Sequence, residues 1–140
     1  MIAYVVDASA LLKTVLIEAD SETMVDLVGR SRVGIPPIAR AEFANVLRRF
    51  VKRKTLSRDG ARRALDEIMA SALLLSETDE EARLTLDLAI ALDHSAQDCR
   101  YLAAAIAAKV PLITADEGFV RKASAAGHDV RAVAELSPFG

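Results

Sequence analysis

Five short strand candidates, the first four each followed by a stretch with helical periodicity, constrain this chain more than any other feature. They lie at residues 2–6, 33–35, 72–75, 110–113 and 128–133, and most are rich in β-branched and aliphatic residues. After the first, Ala10, Leu11, Leu12, Val15 and Leu16 share one helical face. Asp20 or Ser21 can cap a second helix through Met24, Val25, Leu27 and Val28 to about residue 31. Pro36 and Pro37 then open a long helix to about residue 54, with Ala41, Ala44, Val46, Leu47, Phe50 and Val51 turned inward. Ser57, with Asp59 in the first turn, caps the next helix, and Thr78-Asp79-Glu80-Glu81 has the capping-box pattern of another, running to about residue 91. Residues 92–95 read as a loop, Ser95 opens a further helix, and a last helix through Phe119, Val120 and Ala123 stops at Gly127.

This alternation specifies an α/β fold: a central, mostly parallel sheet flanked by helices in three layers. The 140 residues contain no repeat, low-complexity tract or long linker, so residues 1–140 form a single domain. A chain of this size buries roughly two thirds of the surface it exposes unfolded. With 52% hydrophobic residues and no Trp, its core must be assembled from Ala, Leu, Val and Ile packed at close range. No apolar run approaches the roughly 18 residues of a membrane helix, and no basic region precedes an apolar one at the N-terminus. The expectation is a soluble, cytoplasmic protein. Cys99, alone of its kind, has no partner for a disulfide or a thiolate metal site and reads as a small buried residue.

The formal charge of −2 is unevenly spread. Arg40, Arg48, Arg49, Lys52, Arg53, Lys54, Arg58, Arg62 and Arg63 are opposed by only Glu42 and Asp59 within residues 40–63, which makes a basic segment on an acidic protein. A solvated helix face and a phosphate-contacting surface explain that segment equally well.

The first strand ends abruptly on Asp7, beyond its carboxyl end, where ligands bind in open parallel sheets. Asp116 also follows a strand and starts a helix, while Glu42 and Asp98 fall in early helical turns. Taken singly, each has a capping or helix-dipole explanation; Ser95-Ala96-Gln97-Asp98, for example, is spaced like a capping box. Taken together, a parallel sheet can bring all four to one edge. There their mutual repulsion would hold one or more protonated unless a divalent cation compensated. Mg²⁺ or Mn²⁺ suits such an oxygen-rich, solvent-open cluster better than zinc. Ser9 and Thr114 are close enough in sequence to Asp7 and Asp116 to hydrogen-bond them, although ordinary cap or turn hydroxyls account for them as well. His94 and His128 read as loop or surface residues without a partner, Asp87 and Asp93 as solvated, and Glu117 as a peripheral ligand or the partner of a Thr114 cap.

Four stretches in this order carry a resemblance: Val5-Val6-Asp7-Ala8-Ser9, Pro37-Ile38-Ala39-Arg40-Ala41-Glu42, Gln97-Asp98-Cys99-Arg100-Tyr101-Leu102-Ala103-Ala104-Ala105, and Leu112-Ile113-Thr114-Ala115-Asp116-Glu117-Gly118-Phe119. Over nearly its whole length the chain resembles the PIN-domain ribonucleases, in particular the VapC-like toxins of type II toxin–antitoxin pairs. The resemblance implies a PIN-like fold. It puts Asp7, Glu42, Asp98 and Asp116 in an acidic catalytic and metal-binding site. It also implies Mg²⁺- or Mn²⁺-dependent cleavage of RNA, a homodimer and a cognate antitoxin that covers the groove. The sequence departs from the family pattern at Gln97 and Cys99, where Tyr and Ala commonly flank the third acid. Because an acidic site repels RNA, the basic segment supplies the candidate contacts, Arg40, Arg49, Lys52 and Arg53.

Two other readings keep the fold. In one, a catalytically idle PIN-like module binds a partner helix in an apolar groove made by Leu11, Leu12, Leu16 and the helix from Phe43 to Phe50. In the other, Asp7 is a phosphotransfer nucleophile; Ser9 in place of a second Asp, and the lack of a phosphate-binding Lys after a later strand, count against it.

Overall fold

The computed structural model describes residues 1–136. Its elements are β1 (Tyr4–Val6), α1 (Ala8–Leu11) continued by a 3₁₀ turn (Leu12–Thr14), α2 (Ser21–Arg30), β2 (Val33–Ile35), α3 (Ile38–Lys52), α4 (Arg58–Ala70), β3 (Leu73–Leu74), α5 (Asp79–Leu92), α6 (Ala96–Ala108), β4 (Leu112–Thr114), α7 (Glu117–Ala125) and β5 (Val130–Ala132), closed by a second 3₁₀ turn. All five strands pair in parallel in the order β3-β2-β1-β4-β5. The order runs outward in both directions from β1, so the sheet reverses its winding beside β1, the kind of switch point at which open parallel sheets leave a crevice outside the carboxyl ends of their strands. Val5 and Val6 sit opposite Leu112 and Ile113, and the Asp7 amide donates to the Ile113 carbonyl at 3.0 Å, extending the ladder to the first residue beyond the strand.

Local signals explain most boundaries. Ser57 and Thr78 cap α4 and α5 as their sequences predict, and Thr78 and Glu81 complete a reciprocal capping box. At the second helix the cap differs: Asp20 stands at the N-cap position in the left-handed region without a capping bond. The Ser21 hydroxyl instead accepts from the Glu18 amide and donates to the Leu16 carbonyl, tying the preceding loop. At Gly34 in β2 a Cβ would lie 2.9 Å from the end of the Ile2 side chain and 3.0 Å from that of Leu75, so both side chains would have to shift to admit one.

The core is centred on α6, in which every residue from Cys99 to Ala105 is buried. The small side chains of Ala103, Ala104 and Ala105 let this helix lie close to β1 and β4. Arg100 is buried with it and pairs with Glu77 at 2.9 Å. In α3 the inward stripe is Ala39, Phe43 and Leu47, flanked by half-buried Val46, Phe50 and Val51; Ala41 and Ala44 face solvent, because the bulkier stripe one turn apart claims the core. The same packing closes the partner-helix groove expected from the apolar pattern, since Leu11, Leu12, Leu16, Phe43 and Leu47 are all core residues. Leu73 and Leu74 of β3 are exposed on the sheet's edge. Among the described residues no helix is long and apolar enough to cross a membrane.

Candidate active site at the carboxyl edge of the sheet

Asp7 follows β1 and caps α1, so its position is set by strand pairing on one side and a helix start on the other. One carboxylate oxygen accepts from the Ser9 hydroxyl at 2.7 Å and from the Ala10 amide at 3.0 Å, while the other accepts from the Thr114 hydroxyl at the end of β4. The Thr114 hydroxyl in turn accepts from the Asp116 amide at 3.0 Å, and the Ser9 hydroxyl accepts from the Ala115 amide at 3.3 Å. Two hydroxyls thus lock the ends of β1 and β4 together around one carboxylate. Asp7 is 9% exposed, and burial pushes its pKa up to about 6. Its three hydrogen bonds oppose the shift, and the charge of Asp98 adds a lesser upward push.

Glu42 lies half-buried on the second turn of α3, where the Tyr101 hydroxyl donates to it at 2.8 Å. Burial, and then the charge of Asp98, raise the Glu42 pKa from its ordinary value, against the Tyr101 bond. The Tyr101 phenol is itself shifted upward, first by burial and then by the Glu42 carboxylate, so it remains a donor at ordinary pH. Mutual repulsion of the acids, expected from their clustering, is therefore the smaller cause at both positions, and desolvation is the larger.

Asp98 and Asp116 are placed by the starts of α6 and α7. Ser95 caps α6 through the Asp98 amide at 3.3 Å, but the Asp98 side chain does not complete the capping box; it turns to His94, whose Nε2 lies 2.7 Å from Oδ2. Asp116 caps α7 by accepting from the Phe119 amide at 3.1 Å with one oxygen. The cap and site explanations of Asp7 and Asp116 are thus compatible, because a carboxylate has a second oxygen to present. The Thr114 hydroxyl takes the Asp116 amide rather than that of Glu117, which is exposed and is not the reciprocal partner of a cap.

His94 overturns the expectation of a residue without a partner. It stands between the C-cap of α5, where Asp93 adopts the left-handed conformation (φ 49°), and the N-cap of α6. Its ring packs on Phe119 with centroids 4.5 Å apart, and Lys122 Nζ lies 3.3 Å from Nδ1 and 3.0 Å from the Asp93 carbonyl. A ring nitrogen of His94 and one carboxylate oxygen each from Asp98 and Asp116 lie within 4.8 Å of one another, a span that one cation can bridge. With one imidazole nitrogen and carboxylate oxygens open to water, this donor set fits a divalent ion such as Mn²⁺ or Mg²⁺. Asp7 and Glu42 are not part of this group of three, but both feel the charge of Asp98. Sequence reasoning also passed over Tyr101 as a site residue. Its signal was weak: it is 59 positions from Glu42 and reads as an ordinary core aromatic.

The remaining residues keep to the bland expectations. Asp87 and Asp93 are exposed. Cys99 is fully buried, and burial together with the Asp98 charge raises its thiol pKa, which leaves it inert. At the two departures from the family pattern, Cys99 fills a small core position and Gln97 is exposed. Arg40, Arg49, Lys52 and Arg53 are exposed along α3 and its C-terminus.

A family model described as the PIN domain matches residues 4–125. No curated protein sequence matches the chain at a significant level. Among solved structures, PAE2754 from Pyrobaculum aerophilum is similar over 95% of this chain and 92% of its own, with 20% identity and a TM-score of 0.74. VapBC2 from Rickettsia felis, bound to a DNA fragment from its promoter, shares 14% identity over 92% of this chain and 97% of its own, with a TM-score of 0.69. VapC20 of Mycobacterium tuberculosis, a toxin that cleaves the sarcin-ricin loop, shares 17% identity over 89% and 95%, with a TM-score of 0.65. At these identities the structural likeness speaks for the fold.

Proposed function

The chain belongs to the PIN domain family, and from that premise we propose that it is a divalent-metal-dependent endoribonuclease that hydrolyses RNA phosphodiester bonds, acting as the toxin of a toxin–antitoxin pair. The observation that carries the reading is the grouping of His94, Asp98 and Asp116, with Asp7 and Glu42 near enough to feel the Asp98 charge, at the edge where the sheet reverses its winding.

In this reading Asp7, Glu42, Asp98 and Asp116 are the catalytic acids and Mg²⁺ or Mn²⁺ the cofactor. A bound divalent cation supplies a water of lowered pKa and neutralises charge developing on the phosphate oxygens. The protein's own part is to hold the acids in place. Ser9 and Thr114 fix both oxygens of Asp7, so its orientation costs no reorganisation when substrate arrives. Tyr101 fixes one oxygen of Glu42. Asp98 and Asp116 present oxygens at the open front of the crevice, where a phosphodiester can approach. Arg49 follows Glu42 by seven residues, almost two turns, so it projects from the same side of α3 about 10 Å along the helix. With Arg40, Lys52 and Arg53 it provides phosphate contacts that offset the acidity of the crevice.

The VapBC neighbours are toxin–antitoxin assemblies, which supports a small antitoxin partner. A homodimer and a cytoplasmic location complete the reading.

The test is cleavage of RNA by wild type and Asp98→Asn in Mn²⁺. Loss of several kcal/mol of transition-state stabilisation predicts a fall of about 1000-fold or more, with the metal-free melting temperature little changed. Equal rates in the two proteins would dismiss the proposed chemistry. Replacing Arg49, Lys52 and Arg53 together by Gln should weaken RNA binding and flatten its dependence on salt by about two to three counterions. An unaltered slope would exclude this face from the RNA path.

A further inference from the structure

We propose that His94 is itself a metal ligand, so that this site is a mixed imidazole–carboxylate centre selective for Mn²⁺ over Mg²⁺. The inference rests on the metal-dependent reading above and deepens it by naming which ion the site prefers and why.

Three observations carry it. The first is the spacing: one His94 nitrogen, one Asp98 oxygen and one Asp116 oxygen fall within 4.8 Å of one another, and they come from the α5–α6 turn, α6 and the start of α7. Two ligands at about 2.1 Å on neighbouring octahedral positions are about 3 Å apart. The Nε2 to Oδ2 separation of 2.7 Å needs to open by only a few tenths of an ångström to admit an ion. The second is fixation. Caps on both sides set the backbone around His94, and the Phe119 ring holds the imidazole in place, so the nitrogen is delivered to the site before any ion arrives. The third is access, because His94 and Asp98 keep side-chain exposures of 19% and 37% and an ion can enter from solvent.

Without metal, Lys122 donates toward Nδ1, so Nε2 carries the ring proton and donates to Asp98. Were Nε2 to hold an ion, the ring proton would sit on Nδ1, and Lys122 would give up that contact and keep the Asp93 carbonyl as its partner. Carboxylates serve both ions, but Mn²⁺ opens the transition series, in which a nitrogen ligand adds affinity, whereas Mg²⁺ demands oxygen and parts reluctantly with its waters. His94 therefore strengthens one ion's binding and leaves the other's to the carboxylates.

The experiment measures direct binding of Mn²⁺ and of Mg²⁺ to metal-free wild type, His94→Ala, His94→Gln and Asp98→Asn. It adds pulsed electron paramagnetic resonance of the bound Mn²⁺ to detect an imidazole nitrogen. The protein has two His, so a nitrogen signal lost in both His94 variants is assigned without ambiguity. Expected are that signal in wild type, a loss of Mn²⁺ affinity of about tenfold or more in both His94 variants, and less than about threefold for Mg²⁺. His94→Gln guards against a packing loss at Phe119. A Mn²⁺ centre with no nitrogen signal, or equal losses for both ions, overturns the proposal and reduces His94 to orienting Asp98. If Asp98→Asn binds both ions as wild type does, the metal site itself is wrong, a different result from failure of the His94 assignment alone.

Discussion

The floor and the rim of the crevice are built from the same residue types and are opposite in physical character. On the floor, Asp7 is buried and saturated by two hydroxyls and an amide, and the half-buried Glu42 is held by a phenol. On the rim, Asp98 and Asp116 stand on helix starts with oxygens open to solvent and an imidazole beside them. Burial raises the pKa of both floor acids. The neutral donors that orient these carboxylates also favour their ionised form, but by less than burial opposes it. The floor therefore stores a destabilising charge, which a cation bound at the rim would relieve.

The largest effect that tests this contrast is on the floor. Asp7→Asn should stabilise the metal-free protein at pH 7 to 8 by up to about 3 kcal/mol, because Asn caps α1 without a charge to desolvate. The folded carboxyl takes up its proton near pH 6 and the unfolded one near 3.8. The folded state thus binds more protons between these values, and the stability from this group falls as pH rises through the window. The gain in Asp7→Asn should vanish near pH 4, which denaturant titrations in chelator at pH 4, 6 and 8 would reveal. A gain that does not change with pH would refute a buried charge as its source.

Thr114→Val comes next. Removing one of Asp7's three donors, with little change of shape, should cost about 1–3 kcal/mol at pH 7 and less at pH 4, where the carboxyl is protonated. If the cost is the same at both pH values, the hydroxyl serves the β4 turn through the Asp116 amide more than it serves Asp7.

On the rim, Asp116→Asn should shift metal-free stability by no more than about 0.5 kcal/mol, because Asn also caps α7 and Asp116 is exposed. The rise in melting temperature with Mn²⁺ should nevertheless shrink, since a ligand stabilises a fold according to its affinity. A large metal-free gain in this variant would erase the distinction between floor and rim.

Much of this arrangement is legible in local sequence. The apolar run ending at Asp7, the caps at Ser57, Thr78 and Ser95, and the hydroxyls two residues from Asp7 and Asp116 depend on neighbours a few positions away. The inward stripe of α3 is not legible in this way, because Ala41 and Ala44 fit a helical pattern as well as Ala39 and Phe43 do, and only the layer packed against the helix decides between them. His94 was missed for a related reason: a polar residue in a four-residue loop gives no periodic signal, and its partners on α6 and α7 are fixed by how the loop turns.

The sequence alone determined the element order, the parallel α/β class and the arrival of Asp7 and Asp116 beyond strand ends, because strand periodicity and helix capping are short-range and written residue by residue. Only the tertiary structure decided which groups share the crevice and in what charge state. Tyr101 reaches Glu42 across 59 positions, and Thr114 reaches Asp7 across 107. Desolvation, which outweighs mutual repulsion at the floor acids, depends on how much of the protein surrounds a group, and no local pattern records that quantity.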